Sequence, residues 1–267
     1  MTNQPRGTTP EADGAGSSVT TRFDGYYYQH CCGGGAGYRR DHSWLSFSAG
    51  IADRLVGDIG PRRVLDAGCG FGFLVEALRQ RGVEAMGIDV SGYAISQVHP
   101  SIQSYCRQGS ITDDLDGSYD LIVTIEVLEH IPPADTARAL DNMCAHTGDI
   151  LFSSTPFDHK ELTHVNVQPP EYWAEQFARH GFYRDVDFDA TFITPWAVRF
   201  RKRDEPVHRI IRDYERQFAT LAIERNEIRK HALELQAELA RYRMPLPQKA
   251  WWLARRIAGR LLRPFRR

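Results

Sequence analysis

The sequence predicts an α/β fold: a doubly wound, mostly parallel sheet with helices on both faces, followed by one long helix and a basic tail. Three observations carry this. Short Val/Ile/Leu runs alternate with helix-period segments from Arg62 to about Arg203, the pattern of strands joined by crossover helices. A heptad pattern then runs from Val207 to Tyr242. After it comes a stretch rich in Arg and large apolar residues, with no acid.

The strands expected, in order, are RVLDAG, EAMGID, QSYCRQ, YDLIVTIE, GDILFSST, the segment YRDVDFD and a last strand in WAVRFRKR. Helices are expected between them at GFLVEALRQRG, SGYAISQVH, ADTARALDNMCAH and PPEYWAEQFARHGF. Ahead of the sheet, residues 22–60 begin with aromatics and a glycine cluster. They continue as a helix with Trp44, Phe47, Ile51 and Leu55 on one face, and they read as a lid or substrate cap over the unit at 61–203. The stretch CGGGAGY is its flexible part, with Tyr26, Tyr27, Tyr28, Tyr38 and Trp44 as an aromatic wall. Arg39 and Arg40 are candidates to meet an acidic acceptor, or are simply solvated. Residues 1–21 are rich in Gly, Ser, Thr and Pro without a periodic apolar face, which predicts disorder.

The net charge of −1 gives no global pull toward nucleic acid. The five cysteines, Cys31, Cys32, Cys69, Cys106 and Cys144, are odd in number and lack a framework spacing. With no secretory signal at the N-terminus, they predict free thiols in a reducing, cytoplasmic setting. His30, Cys31 and Cys32 have no second pair at zinc-ligand spacing.

In residues 207–243, the positions 207, 211, 214, 218, 221, 225, 228, 232, 235, 239 and 242 follow alternating steps of four and three. All but Arg225 are apolar or aromatic, which predicts a coiled coil and a homodimer. Pro245 and Pro247 end that helix. In the tail, 245–267, a helical wheel sets Trp251, Leu253, Ile257, Leu261 and Phe265 on one half. Lys249, Arg255, Arg256, Arg260, Arg263, Arg266 and Arg267 lie on the other. That is the pattern of a helix lying in an anionic membrane surface. It predicts a peripheral position at the inner face of the membrane.

The chemistry concentrates in two places. VLDAGCGFG, Val64 to Gly72, follows the first strand and opens a helix. Its glycines allow a sharp turn and close approach to a ligand; alone they would also suit a dinucleotide. Asp89 ends the second strand in GIDVS, where it can accept ribose hydroxyls. Farther on, TIEVLEHIPP brings Glu126, Glu129 and His130 to the carboxyl end of the fourth strand. Open α/β sheets place their ligands there. If a helical turn begins at Glu126, all three side chains face one way. Two roles compete. His130 is a general base with Glu129 or Asp158 orienting it, or Glu126, Glu129, His130 and His164 bind a divalent metal, magnesium or manganese.

Taken together, VLDAGCGFG, GIDVS and YDLIVTIEVLEHI resemble the class I S-adenosylmethionine-dependent methyltransferases. The resemblance implies a seven-stranded Rossmann-like sheet and S-adenosylmethionine as cofactor. By similarity, Asp66, Gly68 and Gly70 hold the methionine end, Asp89 the ribose, and Ser110 with Ile111 flank the adenine; Ser110 stands where that family often has an acid. The glutamate and histidine pattern with His164 resembles the metal site of small-RNA 2′-O-methyltransferases. Its first three residues also resemble ubiquinone-pathway O-methyltransferases. The expected activity is methyl transfer to a hydroxyl of a small molecule, a sugar or a lipid-linked glycan. The rivals are RNA 2′-O-methylation, which the lack of a basic stripe in the catalytic domain disfavours, and a non-catalytic scaffold.

Overall fold

The structure is a computed structural model, and it describes residues 23–33, 37–243, 245, 248, 250, 254 and 255. The expectations of disorder at 1–21 and of an amphipathic tail at 249–267 fall outside the described residues, apart from Ala250, Ala254 and Arg255, as do the middle residues, 34–36, of the expected flexible stretch CGGGAGY. The chain divides after Glu205 into two units, each described by itself.

The first unit is built on a seven-stranded sheet. Its strands are β1 (Arg63–Ala67), β2 (Glu84–Asp89), β3 (Cys106–Gln108), β4 (Leu121–Ile125), β5 (Asp149–Ser153), β6 (Phe182–Arg184) and β7 (Val198–Lys202). Their order is β3-β2-β1-β4-β5-β7-β6. The first five strands pair in parallel, and β7 runs antiparallel to both β5 and β6. The third and sixth strands are shorter than the sequence suggests. Pro100–Tyr105 winds into a 3₁₀ turn ahead of β3, and Asp185 onward leaves β6.

Alternation along the central strands shows why both faces must be covered. Val64, Leu121, Val123 and Leu151 enter one apolar cluster with Ile51, Leu55, Leu74 and Leu78. Leu65, Ile122, Ile150 and Phe152 enter the opposite one with Leu140, Met143, Trp173 and Phe177. The first cluster belongs to helices α2 (His42–Arg54) and α3 (Phe73–Gln80), the second to α5 (Thr136–His146) and α6 (Pro170–Arg179). The short α4 (Gly92–Ser96) links β2 toward β3. Trp173 and Phe177 stand one turn apart on α6 and are fully covered. Burying each such side chain is worth about 1.5–3 kcal/mol, and with the cavity left behind Phe177→Ala should cost about 3–5 kcal/mol.

One element was not legible. Gly25–His30 forms helix α1, capped by Asp24, whose Oδ1 accepts the Tyr27 amide at 3.1 Å. Asp41 caps α2 in the same way at Trp44, as short polar side chains do at helix starts.

The second unit contains α7 (Val207–Arg243), 37 residues without a break. None of the helices among the described residues is long and apolar enough to cross a membrane.

Candidate active site

Strand order reverses direction between β1 and β4, and at such a switch point the loops after the strands part to leave a crevice. Here the crevice is a cavity of about 1360 Å³, entered by the loops after β1, β2, β4 and β5. Every residue expected to hold cofactor lines it: Asp66, Gly68, Gly70, Asp89, Ser110 and Ile111.

The glycine turn is held from below. The Gly68 and Cys69 amides donate to the Ile88 carbonyl at 2.8 and 3.0 Å. Gly68 has φ +88°, and a Cβ there would lie 2.3 Å from Val127 Cγ2. Glycine is therefore required on two counts, conformation and space. The Asp89 carboxylate ties the turn to the next strand, accepting the Gly70 amide on Oδ2 and the Ser91 amide on Oδ1, both at 2.8 Å. Each oxygen keeps a second lone pair for a ligand hydroxyl.

Asp66 and Asp89 are both buried. Burial, and then the charge of Asp89, push the Asp66 carboxyl up to about 7. Burial raises Asp89 too, against the pull of its two amide donors. No ion pair to either acid occurs among the described residues. Two buried acids without a cation suit a ligand that brings positive charge, as the ammonium and sulfonium of S-adenosylmethionine do. Ser110 Oγ accepts the Thr112 amide and contacts its hydroxyl at 2.7 Å, while Ile111 is buried beside it. The aromatic wall is partly as expected. Tyr27, Tyr28, Tyr38 and Trp44 line the cavity, whereas Tyr26 points outward, 68% exposed.

The Glu126, Glu129 and His130 stretch departs from the expected helical turn. Glu126 has left-handed backbone, φ 53°, and the turn begins two residues later as a 3₁₀ element at Leu128–His130. The three side chains therefore do not share one helix face. Glu126 Oε1 accepts the Trp196 indole N–H at 2.9 Å. Glu129 is fully buried, its Oε1 accepts the Thr155 amide at 3.4 Å, and its Oε2 has no partner. Burial first, then the neighbouring Glu126, hold the Glu129 carboxyl well above the usual range.

His130 is oriented by neither acid proposed for it. Its Nδ1 lies 3.2 Å from the Thr163 carbonyl and 3.0 Å from Thr163 Oγ1. A carbonyl only accepts, so Nδ1 carries the proton and Nε2 presents its lone pair. Thr163 Oγ1 in turn donates to Glu161 Oε1 at 2.9 Å. Asp158, half-exposed, meets the other histidine instead: its backbone carbonyl accepts His164 Nδ1 at 2.8 Å, and its carboxylate caps the Lys160 amide. Burial first, then His164, lower the His130 pKa to about 4. The imidazole is thus uncharged at neutral pH. Its Nε2 stands 3.4 Å from the Tyr27 hydroxyl.

Of the four residues expected to bind metal, three converge. One donor atom each from Glu129, His130 and His164 lies within 4.8 Å of the others; Glu126 stands outside this group. Arg40 does not line the cavity but pairs with Glu76 through two hydrogen bonds at 2.6 and 2.8 Å. Arg39 pairs with Asp41 at 3.0 Å. Thr163, Glu161 and Trp196 went unrecognised in the sequence, because nothing about a loop threonine, a loop glutamate or a strand-end tryptophan marks it before the fold brings it to the cavity.

Residues 39–185 match the family model described as a methyltransferase domain. With its sheet order, glycine turn and second-strand acid, the chain belongs to the class I S-adenosylmethionine-dependent methyltransferases. Among its relatives are ubiquinone biosynthesis O-methyltransferases. That of Pseudomonas fluorescens (strain SBW25) is 33% identical over 36% of this chain and 46% of its own length. That of Methylococcus capsulatus (strain ATCC 33009 / NCIMB 11132 / Bath) is 31% identical over 35% of this chain and 43% of its own. The chain spans about half the length of the curated relatives it matches. A structure of magnesium protoporphyrin IX methyltransferase from Synechocystis PCC 6803 with bound S-adenosylmethionine shares the fold. It has a TM-score of 0.51 and 17% identity, over 72% of this chain and 100% of that one.

Proposed function

We propose that the chain is an O-methyltransferase acting on a hydroxyl of a small molecule, a sugar or a lipid-linked glycan. The observation that carries this is His130: an uncharged imidazole lining an aromatic-walled cavity, its Nε2 lone pair free to accept and its Nδ1 proton fixed by Thr163. S-adenosylmethionine, when bound, supplies a methyl group already activated by the sulfonium. Asp66, Gly68, Gly70, Asp89, Ser110 and Ile111 would hold it. The protein's share is then position and proton removal. His130 Nε2 takes the acceptor's hydroxyl proton in place of its contact with Tyr27. Thr163 and Glu161 keep the ring aligned and stabilise the charge it acquires.

The composition of residues 249–267, with seven Lys and Arg, no acid, and Trp, Leu, Ile and Phe between them, supports an acceptor presented at an anionic membrane surface. The test is transfer of isotopically labelled methyl from S-adenosylmethionine to a panel of phenols, sugars and lipid-linked saccharides. Labelling of amines or thiols with no labelled hydroxyl would reject O-methylation.

A second reading has its own observation: the three converging donors Glu129, His130 and His164, together with the unpartnered Oε2 of Glu129. Two imidazoles and a carboxylate suit manganese or iron more than magnesium. A bound ion would lower the pKa of an acceptor hydroxyl. Full activity after exhaustive chelation would leave the base reading alone; loss with recovery on adding manganese would favour the metal.

A further inference from the structure

Among the described residues, helix α7 presents an apolar stripe that is largely exposed. Along the heptad seam Ile211, Phe218, Leu221, Ile228, Leu235 and Leu239 are each at least half exposed, Phe218 reaching 71%. Most helical stability in proteins comes from packing such a face, and a stripe sustained over five heptads selects another helix with the same repeat.

We infer that α7 pairs with α7 of a second copy of this chain, in parallel and in register. The charges beside the seam decide the orientation. Glu224 and Glu238 stand immediately before the seam residues Arg225 and Leu239, at heptad position g. Arg229 and Arg243 stand immediately after Ile228 and Tyr242, at position e. In a parallel pair, g of one helix faces e of the other five residues further on. Glu224 then meets Arg229 of the second copy and Glu238 meets Arg243, and each pairing occurs twice by symmetry. The remaining g and e positions combine Gln217 with Ala222 and His231 with Gln236, while Ile210 is already buried within the single chain. None of these sets like charges together. An antiparallel pair faces g with g and e with e, so these glutamates never reach these arginines. In register, the two Arg225 side chains, the only charges in the seam, face each other, and each has Glu224 of the other copy beside it to offset the like charge. A shift of one heptad would set it against Phe218 or Ala232, the kind of penalty by which a polar seam residue fixes alignment.

The test uses the full chain. Sedimentation equilibrium at micromolar concentration should give a dimer of the 30.4 kDa chain; a monomer or a trimer overturns the proposal. Leu235→Cys should form a disulfide-linked dimer on mild oxidation, over the background of wild type with its native cysteines. Crosslinking that instead requires mixing Ile211→Cys with Leu235→Cys would show an antiparallel pair and overturn the orientation. Glu224→Lys with Glu238→Lys should weaken self-association about tenfold or more. So should Arg229→Glu with Arg243→Glu. Mixed together, the two variants should recover a dimer, since each g then meets an opposite e. Because all four changes lie on exposed positions of the second unit, binding of S-adenosylhomocysteine to each variant should match wild type. A mixture that stays as weakly associated as its components would overturn the charge pairing.

Discussion

The Nε2 atom of His130 lies 3.4 Å from the Tyr27 hydroxyl, across 103 residues of sequence. It joins helix α1 to the turn after β4. The opposite ring nitrogen is engaged by Thr163, so a base and its orienting group are assembled from three segments.

His130→Asn should lower turnover by about 10²–10⁴-fold, the usual share of a positioned base. Cofactor affinity should hold, because Asp66, Asp89 and the glycine turn are elsewhere. Thr163→Val keeps the backbone carbonyl and loses only Oγ1, so a drop of about tenfold is expected. Glu161→Gln removes a charge that raises the His130 pKa, and the acid limb of kcat/KM should move to lower pH. A rate loss with an unmoved limb would leave Glu161 a purely structural part.

Cofactor binding should release a proton in mildly acidic solution. Without ligand, the Asp66 pKa is raised to about 7, so below that pH the carboxyl is largely protonated. A bound ammonium favours the ionised form. Affinity for S-adenosylhomocysteine should therefore rise as pH climbs from about 4 to 7 and level off above. The same raised pKa makes a stability contribution that is full below about pH 4 and lost as pH rises through 7. Calorimetry at pH 6 in two buffers of different ionisation heat measures the proton directly. Asp66→Asn should bind more weakly and release none.

Gly68→Ala should cost about 2–4 kcal/mol, about 1 from left-handed backbone and 1–3 from overpacking against Val127. Adding Val127→Ala should return only the overpacking share. Thermal or urea unfolding of the single and double variants separates the two. Full recovery in the double variant would mean that the backbone conformation carries no cost.

Residues 249–267 should bind vesicles containing anionic lipid in preference to neutral ones. Leu253→Ser, Ile257→Ser and Leu261→Ser together should abolish binding with every charge retained. Equal flotation with both kinds of vesicle would remove the reason to favour a membrane-presented acceptor.

The sheet was legible because buried parallel strands read as unbroken apolar runs, and LIVTI or DILFS has no competing interpretation. The glycine turn was legible for a related reason. The left-handed bends at Gly68 and Gly70, and the Asp89 carboxylate that ties the turn to β2, sit within a few residues of a strand end. The cluster after β4 was not. Spacing of i, i+3 and i+4 on an expected helix places Glu126 with Glu129 and His130, but the left-handed backbone at Glu126 breaks the periodicity that the inference needs. His130 found its partner 33 residues away, and no local pattern encodes such a meeting. Asp158 suits the role chemically, but the fold sets it against His164 and the Lys160 amide.

The bond from Trp196 to Glu126 spans 70 residues, and it reaches back from just before β7 to the end of β4. During synthesis the glycine turn, Asp66 and Asp89 leave the ribosome long before Trp196 does. A nascent chain stalled between α6 and β7 would already contain every group assigned to the cofactor, while Glu126 still lacked its indole donor. Of the two acids in the turn after β4, Glu129 can meet the Thr155 amide before β7 is made, whereas Glu126 must wait for Trp196.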